Sequence, residues 1–297
     1  MDHLRLRQGD GLISPTWLDD LRLQAGPPFV NMGIHALDLD RWLTVDDDRE
    51  LDLAYRSRLL DSKRSIVFAA LDDTEAPSNE VLLMIRNWLV AHNVAVGESN
   101  RLEHPLMQAA RLVQEDLAIM QRIDGLWVLT AGAVCFPSHW TIADKVGLPL
   151  DGVHVPVAHY ETELSERVDR FHDRMTPDRP VWRRNWAVNP TSELHLPAFG
   201  YPMHPVETIE ADGSPMFIRS EYQTLRRLPE TDAILFTIRI QRTPLGVLRG
   251  RADLARKMLD TVSSWDKPKR RYASTGGAID ALVGWLSDVV RSCETSW

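Results

Sequence analysis

CFPSHWTIADKVGLPLDGVHVPV, residues 135–157, decides how the chain is read. Its first residues close an apolar, strand-like run that begins at Leu126, and Pro137 marks where that run leaves a sheet, because proline cannot donate to a strand ladder. Gly147, Pro149 and Gly152 then make a bend that sets one histidine, His154, between Val153 and Val155. An imidazole so placed is either a core group satisfied by a backbone carbonyl or a ligand at the wall of an apolar pocket. The residues alone favour the core role, since lone histidines on apolar runs are usually structural.

Upstream of this stretch the pattern is helical. LDLAYRSRLLD (51–61) follows the acidic residues Asp46, Asp47 and Asp48, which suit a helix N-terminus. A second helix is predicted after Pro77, capped by Ser78, with Val81, Met84, Ile85 and Trp88 as its apolar face. A third is predicted from about 105 to 121, with Leu106, Ala109, Leu112, Val113, Leu117 and Met120 facing inward. In that helix Glu115 and Asp116 diverge by about 100°, so they are not a catalytic pair: one contacts a buried group and the other faces solvent. Residues 1–50 read as an irregular arm, broken at Gly26, Pro27 and Pro28, with NMGIHAL (31–37) as a docking segment and His35 as a packing or surface residue.

Downstream, Leu164, Val168, Phe171 and Met175 define one helical face, and three strands follow at about 180–188, 216–228 and 233–241. LPETD (228–232) is a tight connection that makes the last two antiparallel partners. Past Pro244 the pattern is helical again through Leu248, Leu254, Met258 and Leu259, then Ile279, Leu282, Val283, Leu286 and Val290, separated by Gly276 and Gly277. The fold class is α+β, one elaborated domain over 1–297, whose C-terminal helices (about 246–297) brace the sheet or form a subunit contact.

At 297 residues, 44% hydrophobic and 26% charged, the chain has ordinary globular composition. The start, MDHLRLRQGDG, lacks a signal-peptide apolar centre and no run suits a membrane span, so a cytoplasmic protein is expected. A net charge of −8 argues against nucleic acid, and KPKRR (267–271) reads as a solvated loop. Cys135 and Cys293 form no CxxC pair, which argues against a cluster or a cysteine zinc site in this chain.

Several words, taken together and in order, resemble the alpha subunits of haem-dependent oxidative N-demethylases. They are QEDLAIM (114–120), VCFPSHW (134–140), Lys145 and Gly147 with VHVPV (153–157), RRNW (183–186), ELHLP (193–197), RSEYQTLRRLP (219–229) and AILFTIR (233–239). The resemblance spans roughly residues 30–245. It implies a haem-binding, PAS-like antiparallel sheet with helical additions, and oxidative removal of a methyl group from a small amine with dioxygen.

A haem site needs an axial donor, an apolar slot, cations for the propionates and distal hydrogen-bond donors. Under the resemblance His154 is the preferred axial ligand and His195, in ELHLP, the runner-up, with lesser claims for His139 and Cys135. On an extended segment Arg219, Glu221 and Gln223 share one face, which is either the solvent side of an edge strand or a polar stripe beside the haem. In the second case Glu221 holds an alkylammonium cation, while Arg219 donates to dioxygen or a propionate. Lys145, Arg183 and Arg184 are alternative propionate partners, and Trp186 shares a strand face with Arg184. The cofactor implied is haem b, since no CxxCH attachment pattern occurs. No Gly-rich dinucleotide fingerprint occurs at a strand-to-helix junction either, so electrons come from a flavin or iron–sulfur reductase on another chain. Two other readings stay open: a haem-based gas or redox sensor without turnover, and a scaffold that shares the architecture without haem.

Overall fold

The computed structural model describes residues 14–28, 32–97, 100–155, 157–197, 206–273 and 278–294. The opening MDHLRLRQGDG segment, Asn31 of the docking segment, Pro156 and the Gly276 and Gly277 break lie outside them. The strands are β1 (His35–Ala36), β2 (Phe68–Ala70), β3 (Asp116–Ile123), β4 (Leu126–Ala133), β5 (Val181–Asn189), β6 (Phe217–Arg227) and β7 (Ile234–Pro244). The helices are α1 (Arg49–Ser62), α2 (Arg64–Val67), α3 (Glu75–Ala91), α4 (Pro105–Ala110), α5 (Leu150–His154), α6 (Tyr160–Glu163), α7 (Ser165–Arg174), α8 (Ala252–Ser263), α9 (Lys267–Ala273) and α10 (Ile279–Glu294). The strands form one sheet in the order β1-β5-β6-β7-β3-β4-β2, and every pairing is antiparallel. This is an α+β fold, as its alternation of apolar runs predicts.

Two hairpins set the register. Ile123 pairs with Leu126 across the Asp124–Gly125 turn, where both turn residues have positive φ, the geometry that Asp-Gly supplies between twisted strands. Leu228 N–H donates to Ala233 O at 2.8 Å to close the LPETD connection, and β6 and β7 pair over eleven residues as predicted. Between these hairpins runs the 135–157 stretch with α5, α6 and α7. β4 ends at Ala133, short of the expected stop at Pro137; Gly147 takes φ +90, and Val128 bridges Pro149 so that the bend lies along the outer half of β4.

Alternation divides the sheet. Ala118, Met120, Leu225 and Ile234 point to one face and bury against Ile142, Leu150, Tyr160, Leu164 and Val168. Leu117, Ile119, Ala131 and Leu235 point to the other and bury against Leu59, Val81, Ile85, Leu89 and Leu106 from α1, α3 and α4. A third cluster joins Val188 and Ile218 to Leu254, Met258, Leu286 and Val290, so α8 and α10 brace the far end of β5 and β6. No helix among the described residues is long and apolar enough to cross a membrane.

Four further expectations change. The third helix stops at Ala110, and QEDLAIM enters β3 instead of continuing a helix. Leu117 and Met120 face opposite sides of a doubly buried strand, so both are apolar without strict alternation, and the run imitates a helical period. Glu115 and Asp116 are both buried, at 1% exposure each, so neither faces solvent. Finally, α3 starts ahead of Pro77 with Thr74 as its flanking residue and Ser78 inside it, while KPKRR lies within α9 and is not a loop.

Candidate functional site

Because β6 is paired on both sides, with Asn185 and Ile240 opposite Glu221, the backbone of its polar stripe is fixed. Arg219, Glu221 and Gln223 project from the face that α5 to α7 cover, as alternation predicts. Glu221 Oε1 lies 3.2 Å from Ser138 Oγ, and its Oε2 accepts from Gln223 Nε2 at 2.8 Å. No ion pair within 4 Å joins Glu221 to a cation among the described residues, so its charge is oriented by neutral donors.

Arg219, only 3% exposed, is fully engaged. Its Nε donates to Ser138 Oγ at 2.9 Å and Nη1 to Glu193 O at 3.1 Å. Nη2 reaches Phe136 O, Leu194 O and Pro137 O at 2.8, 3.1 and 3.3 Å. Burial brings its pKa down to about 10, opposed by Glu221. Such a guanidinium fastens the 136–138 and 193–194 segments to the sheet, and no nitrogen is left to reach outward.

Arg183 stands opposite Gln223 on β5 and so shares this face. It makes no hydrogen bond or ion pair among the described residues, and its Nε is buried without a partner. Burial depresses its pKa, opposed by Glu221; Tyr160 and Tyr272 also lie in its electrostatic surroundings. The Tyr160 hydroxyl is likewise buried without a partner, and burial chiefly raises its pKa. Its ring stacks on His154 with centroids 4.3 Å apart and planes 7° from parallel.

His154 ends the short helix α5. Its Nδ1 lies 2.8 Å from Leu150 O, and since a carbonyl can only accept, Nδ1 carries the hydrogen and Nε2 the lone pair. Burial lowers its pKa, and the charges of Arg183 and Lys145 act in the same direction. The Lys145 ammonium donates to Val153 O at 2.9 Å, tying the bend to α5. Glu221, Gln223, Arg183, His154 and Lys145 therefore form one connected neighbourhood.

His195 sits beside the Arg219 end of the stripe, between Leu194, whose O accepts from Arg219 Nη2, and Leu196, which bridges Ser138. Its Nδ1 donates to Cys135 O at 2.7 Å, and its Nε2 is buried with no partner. Arg184 and Trp186 do share a face, but it is the opposite one. Arg184 donates to Ser220 Oγ and Gln241 Oε1 and pairs with Asp20 at 3.5 Å, while Trp186 donates to Arg22 O. Cys135 is fully buried and burial pushes its thiol up to about 12, which keeps it protonated. His35 stacks on Trp182 at the β1 edge, and His139 holds the chain turn at φ 65 with its N–H on Leu196 O at 2.6 Å.

Four residues of this neighbourhood escaped the sequence reading: Ser138, Tyr160, His172 and Tyr272. His172 sits four residues after Val168 on the apolar α7 face; its Nδ1 donates to Val168 O and its Nε2 is buried without a partner. Position on that helical face was a usable signal. Tyr160, Ser138 and Tyr272 come from three separate segments: Ser138 bonds Arg219 and Glu221, Tyr160 packs in the cluster with Leu225 and Val181, and Tyr272 lies within electrostatic reach of Glu221 and Arg183.

An imidazole with its Nδ1–H held on a carbonyl, a guanidinium with no ion pair among the described residues and an oriented carboxylate thus gather on one side of the sheet. The family model described as haem-dependent oxidative N-demethylase, alpha subunit-like, matches residues 33–282, which include every residue of this neighbourhood. The match covers well over half of the 297 residues, and the chain belongs to that family.

Proposed function

We propose that this chain is the catalytic, haem-carrying subunit of an oxidative N-demethylase acting on a small N-methyl amine. The observation that carries the reading is the His154–Arg183–Glu221 neighbourhood: a histidine whose Nδ1–H is fixed on a carbonyl, beside a guanidinium and a carboxylate that make no ion pair among the described residues.

These residues fit the group that the family name implies. In ligated histidines the second nitrogen commonly donates to a carbonyl, as His154 Nδ1 does to Leu150, and this leaves Nε2 for iron. Arg183 and Lys145, whose charges act on His154, would hold the propionates. His195 Nε2, also an orphaned lone pair, is the alternative ligand. The PAS-like reading is supported by the sheet order, in which the last strand of the second-half meander, β7, returns to pair with β3 of the first hairpin.

When bound, the haem supplies reductive activation of dioxygen, so that a methyl C–H becomes C–OH, water forms, and the carbinolamine decays to formaldehyde and the demethylated amine. The chain's own residues bind and orient. A secondary or tertiary amine is a cation near neutral pH, and moving it onto a covered sheet face removes its hydration. The Glu221 carboxylate replaces that hydration with a charge-assisted hydrogen bond. Arg219 holds the loop that carries Ser138, and α5 to α7 keep bulk water off the face. Two electrons per turnover come from a reductase partner, which suits a family named for an alpha subunit.

The test is turnover. The haem-loaded chain with dimethylammonium and an artificial reductant is expected to consume dioxygen and release formaldehyde in equal amounts, and NADPH without a reductase is expected to drive none. Dioxygen uptake without amine loss would favour the sensor reading.

A further inference from the structure

We infer that Ser138 is a positioning residue for amine recognition: it hands the polarity of Arg219 to Glu221 and keeps that carboxylate aimed, and out of a contact ion pair with Arg219, for a monocationic ligand. The inference rests on the reading of Glu221 as the amine-binding carboxylate.

Hydrogen accounting fixes the direction of the relay. Arg219 Nε can only donate, so at 2.9 Å Ser138 Oγ is its acceptor. The serine hydrogen is then free for its other neighbour, and Glu221 Oε1 at 3.2 Å, an acceptor only, takes it. On the other carboxylate oxygen the Gln223 amide must present its NH₂, because two oxygens at 2.8 Å would repel. Glu221 is thereby gripped at both oxygens by neutral donors. A direct Arg219–Glu221 pair would have oriented the carboxylate equally well, but it would also have neutralised it. With serine interposed, the arginine fastens the loop and the carboxylate keeps a lone pair on each oxygen for a cation.

Ser138 is itself held rigidly. Leu196 N–H donates to Pro137 O at 3.3 Å, His139 N–H donates to Leu196 O at 2.6 Å, and Arg219 Nη2 grips the Phe136 and Pro137 carbonyls. The hydroxyl therefore sits on a backbone clamped on both sides, so it orients Glu221 without loop rearrangement. A serine whose only task was to satisfy Arg219 would not need a carboxylate on its far side.

The experiment is a double-mutant cycle in the haem-loaded protein, read by calorimetric titration with dimethylammonium chloride. Ser138→Ala is expected to weaken binding about 10-fold, the order of one hydrogen bond to a charged group. Ser138→Thr, which keeps the hydroxyl, is expected to stay within about 2-fold of wild type. In a Glu221→Gln background, Ser138→Ala is expected to cost almost nothing more, since the two act as one unit. Equal loss from Ser138→Ala in both backgrounds, or unchanged affinity of Ser138→Ala alone, overturns the relay while leaving Glu221 as the binding carboxylate. Unchanged affinity of Glu221→Gln alone overturns both. Far-ultraviolet circular dichroism separates these results from misfolding, and Ser138→Cys, whose thiol is a much weaker donor, carries the test with a loss of the same direction if Ser138→Ala does not fold.

Discussion

Glu221 is oriented and, among the described residues, without an arginine in contact, although Arg219 is two residues away and Arg183 lies across the strand. Glu221→Gln keeps the shape and most of the hydrogen bonding but removes the charge. Its expected effect is a dissociation constant for a small alkylammonium raised about 10-fold or more, from losing roughly 1.5–3 kcal/mol of ionic hydrogen bonding. Titrating the ferric haem spectrum with the amine measures it, and equal affinities would return Glu221 to a structural role. At this scale much was legible: strict alternation in RSEYQTL puts residues 219, 221 and 223 together without knowledge of the partner strands. What alternation cannot say is which neighbouring strand's even or odd positions join them. Arg183 and Arg184 were therefore equal candidates until the register set Arg183 opposite Gln223 and Arg184 opposite Tyr222.

Among elements, the junction of α4 and β3 shows how buried charge fixes a chain direction. Asp116 opens β3 and accepts from Arg56 Nη1 at 2.7 Å, Cys135 N–H at 2.8 Å and Phe136 N–H at 3.0 Å, with both side chains of the ion pair at 1% exposure or less. It thus ties α1 to β3 and to the exit of β4. Asp116→Ala leaves a buried guanidinium unpaired and is expected to cost about 3–5 kcal/mol, read by urea denaturation; a loss under 1 kcal/mol would contradict this account. The helix predicted through this point failed because an apolar run buried on both faces carries no period that separates strand from helix. At the start of α4, His104 Nδ1 accepts the Leu106 N–H at 3.3 Å, a capping role an imidazolium cannot fill. Burial holds its pKa below the unfolded value of about 6.5, so its contribution is present above that pH and is lost as pH falls through the lower folded value. His104→Asn preserves a capping oxygen, and its stability is expected to fall by about 0.5–1 kcal/mol less than wild type between pH 7 and pH 5. Equal losses in the two proteins would show that the cap does not titrate.

For the whole molecule, the division of labour follows the two faces of the sheet. One face, packed by α1, α3 and α4, holds the apolar core and the Arg56 and Arg239 ion pairs; the other, under α5 to α7, gathers Glu221, Arg183, Tyr160 and His154. The fold class and the hairpin of β6 with β7 could be read from the chain because they rest on local runs and turns. The site could be read only in part, since Ser138, Tyr160 and Tyr272 reach it through tertiary packing. The measurement that tests the central claim most directly is the absorption spectrum of the purified, haem-reconstituted protein beside its His154→Ala and His195→Ala variants. A Soret band with one non-covalent haem per chain is expected, lost or shifted in His154→Ala and kept in His195→Ala. A wild-type chain that binds no haem, or a spectrum untouched by His154→Ala and abolished by His195→Ala, would contradict that claim.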